Sequence, residues 1–418
     1  MPGRMPSCRD VTVAAAAERV VRTERCTGCG ACALLDPGLS MELVHGHMRP
    51  VRTDQASSND VARFRRVCPG VVVKSPFARS APHRHPVLGP WVAMWRAHAT
   101  DPELRRRGSS GGVLSALAAW NADTTGGTGH AVAGCPVQPR RTVPVTITSK
   151  QEALAAASSR YAPVAAARDV REMRAADVVT GKPCEVAAMR AMNDSESPLM
   201  LSFFCAGSPS QDATDDLIRD LGGEPEALRR LWYRGDGWPG RFTAQMEDGA
   251  EVSTTYAQSW GRALGPSVSW RCRCCGDGMG ESADLVAGDL WETDDRGYPS
   301  FAEQEGVSVL VARTQRGHAA ALAAERDGAI HLEPVTVDEV LAAQPAQVAR
   351  RKLLWGRLLP TLLMGLPVTR YKGFDHVVQA LRRPRAVRDE VLGAAARLRR
   401  RGYDWAGGRI RPVLARLR

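Results

Sequence analysis

The chain has 418 residues, 44% of them apolar, which is length and composition for a soluble globular protein of two or three domains. The net charge of +11 is uneven: residues 346–418 hold 18 Lys and Arg against 4 Asp and Glu, a net +14, while the first 345 residues hold 38 against 41. Attraction to an anionic partner therefore belongs to the last 73 residues, and nucleic acid ranks low as that partner because no base-reading motif accompanies the charge.

The N-terminal stretch MPGRMPSCRDVTVAAAAERVV is broken by Glu18 and Arg19 and lacks an apolar run of export length, so a cytoplasmic setting is expected. Eleven cysteines, an odd and clustered set, then point to metal or redox chemistry rather than disulfides. Residues 18–78 form a small cysteine-bearing unit. Cys26, Cys29 and Cys32 follow one another at two-residue intervals, and Asp36-Pro37 stands where a two-cluster ferredoxin comb has Cys-Pro. In that comb the cysteine before proline serves the other cluster, so its loss takes nothing from the first. The expected fourth ligand is Cys68, in VCPG, with a hairpin or helix inserted before it; Asp36 is the weaker choice. Gly28 and Gly30 let the backbone wrap a cluster and aim N–H groups at its sulfurs. A ferredoxin-like 4Fe-4S module is expected, and four-cysteine zinc is the alternative.

The Pro- and His-containing SPFARSAPHRHPVLGP reads as a boundary. After it come a strand in WVAMWRAHAT, a glycine turn, and an apolar helix from Gly112 to Trp120. The alternation continues through HAVAGCPVQP, the helical SKQEALAAASSRYAPV, the strand ADVVTG with helix PCEVAAMRAM, and the strand LMLSFFCAG with helix SQDATDDLIRDLG. From Leu231 to Val335 the pattern turns β-rich, in RFTAQM, EVSTTY, ADLVAGD and VSVLVART. The fold class expected is α/β (α+β), with units at 18–78, 90–170 and 171–345 and a basic, partly amphipathic helical tail at 346–418. Within that tail Leu353 to Val368 is too short and interrupted to span a bilayer; it either packs on the protein's own body or lies on an anionic membrane surface, or the tail docks an acidic partner.

Cys184, Cys205, Cys272, Cys274 and Cys275 have no local comb, and spacing leaves a metal site and incidental buried thiols equally open. Ser110, Gly111 and Gly112 offer small residues at a helix start, where backbone N–H groups reach a diphosphate. GSSGG lacks nucleophile-elbow spacing, and neither a Walker loop nor a dinucleotide fingerprint is present.

RRRGSSGGVLSAL, SSRYAPV, VVTGKPCEVAAMR, LSFFCAG, RCRCCGDGMGESADLVAGD and GVSVLVARTQRG occur in the order and context of one family. From about Trp91 to Gly317 the chain resembles the coenzyme F₄₂₀ hydrogenase/dehydrogenase beta subunits, which also look like the 7-hydroxymethyl chlorophyll a reductases. The resemblance implies an oxidoreductase with FAD and a second 4Fe-4S cluster, held by Cys184, Cys205, Cys272 and Cys275. It places Ser110, Gly111, Gly112, Arg160 and Tyr161 at the cofactor. Asp289 either binds flavin or substrate or caps the next turn. Cys274, Cys135 and Cys8 fall outside the ligand set, and Glu185 stands where the family usually has Gln. Ferredoxin or another one-electron carrier is the implied electron partner and F₄₂₀ the hydride partner. The alternatives are a ferredoxin-dependent reductase of an organic metabolite and a non-catalytic relay subunit of a larger complex. A homo-oligomer is compatible with the sequence.

Overall fold

A computed structural model describes residues 11–168, 176–192, 198–292 and 302–403. At its centre lies an eight-stranded mixed sheet. Its strands in chain order are β1 (Ala93–Ala99), β2 (Gly129–Cys135), β3 (Gln138–Ile147), β4 (Val178–Thr180), β5 (Leu199–Phe203), β6 (Leu285–Asp289), β7 (Ser308–Ala312) and β8 (Ile330–Pro334), arranged β8-β1-β7-β6-β5-β4-β2-β3. The contiguous set β2, β4, β5 and β6 is parallel, and the outer strands add antiparallel. Apolar runs such as LMLSF and LVAGD suit strands covered on both faces. Because side chains alternate, Leu199 and Leu201 meet helix Val113–Thr125 on one face, while Met200 meets helix Pro183–Met192 on the other.

Most helix and strand positions expected from the sequence appear, but the helix read over SKQEALAAASSRYAPV ends at Ala156, with SSRYAPV running as loop, and the β-rich stretch divides. Arg241–Met246 and Glu251–Thr255 join Leu228–Trp232 in a separate three-stranded antiparallel sheet, whereas β6 and β7 belong to the central one.

Ahead of the sheet, helix Val13–Arg22 is capped by the Thr12 side chain on the Ala15 N–H and buries Val13, Ala16, Ala17 and Val20. Its apolar face packs on Leu39, Val61 and Phe64. Both inserts expected between Cys32 and Cys68 are present, the hairpin Leu39–Val44/His47–Arg52 and the helix Val61–Val67. The unit shares a core with the sheet: Cys29, Ala31 and Val67 pack with Val179, Val186 and Met200.

The basic C-terminal region is folded up to Tyr403; residues 404–418, like Cys8, lie outside the described set. Helices Pro345–Lys352, Leu354–Leu363, His376–Leu381 and Pro384–Arg400 surround a short strand, Arg370–Lys372, which pairs in parallel with Val72–Lys74 just after Cys68. Leu354, Leu358, Met364 and Leu366 pack on Trp270 and Cys274, and each such buried side chain contributes about 1.5–3 kcal/mol. The apolar segment therefore packs on the body, with Leu359, Leu362 and Leu363 left as an outward stripe. No helix among the described residues is long and apolar enough to cross a membrane.

Candidate functional site

All ten cysteines among the described residues are free thiols. Cys26, Cys29, Cys32 and Cys68 line one small cavity closed by Ala17, Val20, Phe64 and Val67. Positive φ at Gly28 (73°) and Gly30 (93°) bends the comb around it, and a side chain at Gly28 would meet the Met48 carbonyl at 2.9 Å. The Gly28 N–H points at Cys26 Sγ, 3.4 Å away. Burial, reinforced by neighbouring thiols, pushes Cys29 up to about 11 and Cys68 up to about 12. Cys32 rises for the same reasons, with Cys26, Cys29 and Cys68 all in its field. Thiols gathered in this way would ionise only against a cationic centre, and an iron–sulfur cluster is one group that would supply it. Among the described residues, no three His, Cys, Asp or Glu side chains are gathered as a single metal ion would require. Asp36 is engaged elsewhere, accepting from the Gly38 and Ser58 N–H groups (both 2.9 Å) and from Ser57 Oγ (2.6 Å).

The second group is assembled by the sheet. Cys184 opens the helix after β4, Cys205 lies just past the end of β5, and Cys272 and Cys275 sit in and after the short helix Trp270–Arg273. Cys205 is pushed up to about 12 by burial and by Cys272 and Cys275, while Arg350 opposes the rise. Cys184 is raised by burial and Glu185, with Lys182 opposing, and it lies in the field of both Cys205 and Cys29. The two quartets are thus adjacent. Cys274 instead packs among Trp270, Leu354 and Leu358, and Cys135 ends β2, beside Arg229 and Arg230.

A buried cation fits a cluster at the second quartet. Arg271, 3% exposed, lies near Cys275, Cys184 and Cys272, yet among the described residues it makes no ion pair and its Nε has no partner.

The C-terminal region straps these loops down. Gln347 Nε2 and Arg350 Nη1 donate to the Cys205 carbonyl (3.0 and 3.1 Å), Arg351 Nη1 to Gly276 O (2.8 Å), and Tyr371 Oη to Cys274 O (2.7 Å). Thr369 Oγ1 donates to Gly70 O at 3.0 Å, which ties the same strap to the first quartet.

Beyond Cys205 a cleft opens at the C-terminal ends of the parallel strands, where open α/β sheets place ligands. It has a cavity volume of about 230 Å³ and is lined by Ser110, Gly112, Arg160, Tyr161, Lys182, Phe204, Cys205 and Asp289 among others. Ser110 and Gly112 reach this lining. Gly111 lies behind it, with its N–H on Ser308 Oγ at 2.9 Å. Gly112 (φ 71°) begins the helix Val113–Thr125 and admits no side chain, since Leu104 O lies 2.4 Å from an added Cβ.

Arg160 uses four of its five N–H groups on Thr142 Oγ1 and the Leu231, Pro139 and Arg141 carbonyls. Tyr161 packs on Trp260, with ring centroids 4.9 Å apart. Asp289 accepts both Nη groups of Arg234 (2.8 and 2.7 Å) and Trp238 Nε1 (3.1 Å). Its role in this structure is to anchor a buried arginine that lies over the Tyr256 and Trp291 rings. Lys182 Nζ stands 2.6 Å from Glu185 Oε1, and Glu185 Oε2 accepts the Lys182 N–H at 2.9 Å. The departure at Glu185 is thus matched by the Lys182 ammonium, two residues before Cys184. Sequence reasoning missed Arg234, Arg271 and the strap residues; the one signal for Arg271 was its place in RCRCC.

Two family models match in tandem. The N-terminal model of the coenzyme F₄₂₀ hydrogenase/dehydrogenase beta subunits matches residues 94–170, and their C-terminal model matches 177–338. The chain belongs to this family. Membership makes the protein oxidoreductase-related, and iron–sulfur and flavin cofactors accompany such beta subunits generally. A solved chain from the F₄₂₀-reducing NiFe hydrogenase complex of Methanosarcina barkeri is similar at 19% identity and a TM-score of 0.48, over 65% of this chain and 93% of that one. No curated protein matches this F₄₂₀ beta-subunit homologue.

Proposed function

We propose that the protein is an iron–sulfur flavoprotein oxidoreductase. Cys26, Cys29, Cys32 and Cys68 hold an outer 4Fe-4S cluster, Cys184, Cys205, Cys272 and Cys275 an inner one, and the cleft takes FAD. The observation that carries this reading is one of adjacency: Cys184 lies in the field of Cys29, and Cys205 both neighbours the inner thiols and lines the cleft. FAD, when bound, exchanges single electrons with clusters and a hydride with organic partners. The chain's own residues bury the quartets, aim the first N–H groups of helix Val113–Thr125 toward a diphosphate, and close the cleft with Tyr161 and Phe204. Ferredoxin or a similar one-electron carrier serves the outer quartet, and coenzyme F₄₂₀ is the hydride donor or acceptor. A reducing, cytoplasmic compartment suits these thiolates. The outward stripe Leu359, Leu362 and Leu363, with the arginines of the last helices, supports docking on anionic lipid. Binding to anionic vesicles that is unchanged in the triple Ser variant removes this docking role.

The deciding experiment measures iron, sulfide and flavin on anaerobically purified protein, followed by viologen-coupled F₄₂₀ turnover. About eight iron and one FAD per chain are expected, falling to about four iron in Cys68→Ala. Zinc without flavin overturns the reading. Inactivity with F₄₂₀ but turnover of another metabolite reassigns the substrate, and activity only with co-purifying subunits makes the chain a relay component.

A further inference from the structure

We propose that Arg271 is the shared counter-charge of the two quartets and sets the inner cluster's potential above the one it would otherwise have. The inference rests on the two-cluster reading. Arg271 Nη2 donates to the carbonyl of Pro69, the residue after Cys68, at 2.9 Å, and its Nη1 donates to Tyr371 Oη at 3.1 Å. Tyr371 Oη in turn donates to Cys274 O, so it is a neutral phenol and supplies no negative charge. Among the described residues, no carboxylate pairs with this guanidinium.

A permanently charged side chain buried without an anion costs several kcal/mol. That cost is offset once the thiols around it carry a cluster, whose charge with four thiolates is negative. Three of the four inner cysteines lie in the field of Arg271, whereas the outer quartet meets it only through the Pro69 carbonyl. One-electron reduction of a cluster breaks no bond and needs no proton, and the electron comes from the carrier proposed above. It adds one negative charge, which a nearby cation in a low-dielectric site stabilises. Arg271 therefore favours the electron on the inner cluster, on the cleft side of the relay.

EPR-monitored redox titration of the full chain tests this, with Arg271→Gln and Arg271→Lys beside the parent and iron counted in each. The Gln variant is expected to lower the inner midpoint by at least tenfold in the one-electron equilibrium, about 59 mV, with the outer midpoint moving less. The Lys variant keeps the charge and is expected to keep the midpoint. A Gln variant with full iron and both midpoints unmoved overturns the inference and leaves the cluster reading intact. If Gln loses iron, Lys decides: a fall as large as tenfold with the charge retained overturns it, and an unmoved inner midpoint supports it. A parent protein without iron overturns both.

Discussion

The outer quartet is made by a loop and the inner one by a sheet. Cys26, Cys29 and Cys32 lie within seven residues, and two left-handed glycines bring them together with only Cys68 arriving from afar. The inner four are contributed by the ends of β4 and β5 and by a segment about 70 residues later, and they meet because parallel strands end side by side. A local site survives as long as its loop folds. A site built from strand ends depends on the register of the whole sheet, and here on a strap from the C-terminal region as well.

This contrast can be broken at several points. Cys184→Ala is expected to remove about four iron and uncouple the flavin from the outer quartet, while Cys68→Ala removes the other four and leaves flavin content unchanged; iron assay and anaerobic flavin reduction distinguish them. Next in size is Arg351→Ala, which leaves the buried Glu281 carboxylate unpaired and frees the Gly276 carbonyl. It should cost about 3–5 kcal/mol in urea unfolding, with inner iron lost before outer iron.

A third test is pH. In the metal-free protein Cys29, Cys68 and Cys205 titrate near 11 to 12, above the unfolded value of about 9. The unfolded state thus loses protons first. Apo stability is expected to be fully present below pH 9 and to fall as pH rises through 11 to 12, by about 1.4 kcal/mol per pH unit for each titrating thiol. The loaded protein, whose thiolates no longer titrate, should show no such slope in the same window. Smallest of all is Cys274→Ala: full iron is expected, with a stability change of about 1 kcal/mol measured by denaturation.

The same contrast explains what could be read from the sequence. The comb was legible because its spacing is local, Cys68 because it stands before a proline as comb cysteines do, and the strands and helices around β4 and β5 from apolar runs bounded by glycine and proline. The inner set was accessible only through family resemblance, since no spacing rule links Cys184 to Cys275. Asp289 was visible as a motif residue, but its pairing with Arg234 depends on where a separate antiparallel sheet lands. The tail's composition pointed to a surface, and Leu359, Leu362 and Leu363 do face outward, yet Arg350, Arg351 and Arg357 turn inward to carbonyls of the cysteine-bearing loops.

The strap also orders events in time. It begins 70 residues after Cys275, at Pro345, an interval that takes roughly 4 to 14 s at ribosomal rates. All eight proposed ligands therefore emerge before the segment that covers their loops. Closure of Gln347, Arg350 and Tyr371 over the loops is then a late step of folding, taken after both quartets have been made.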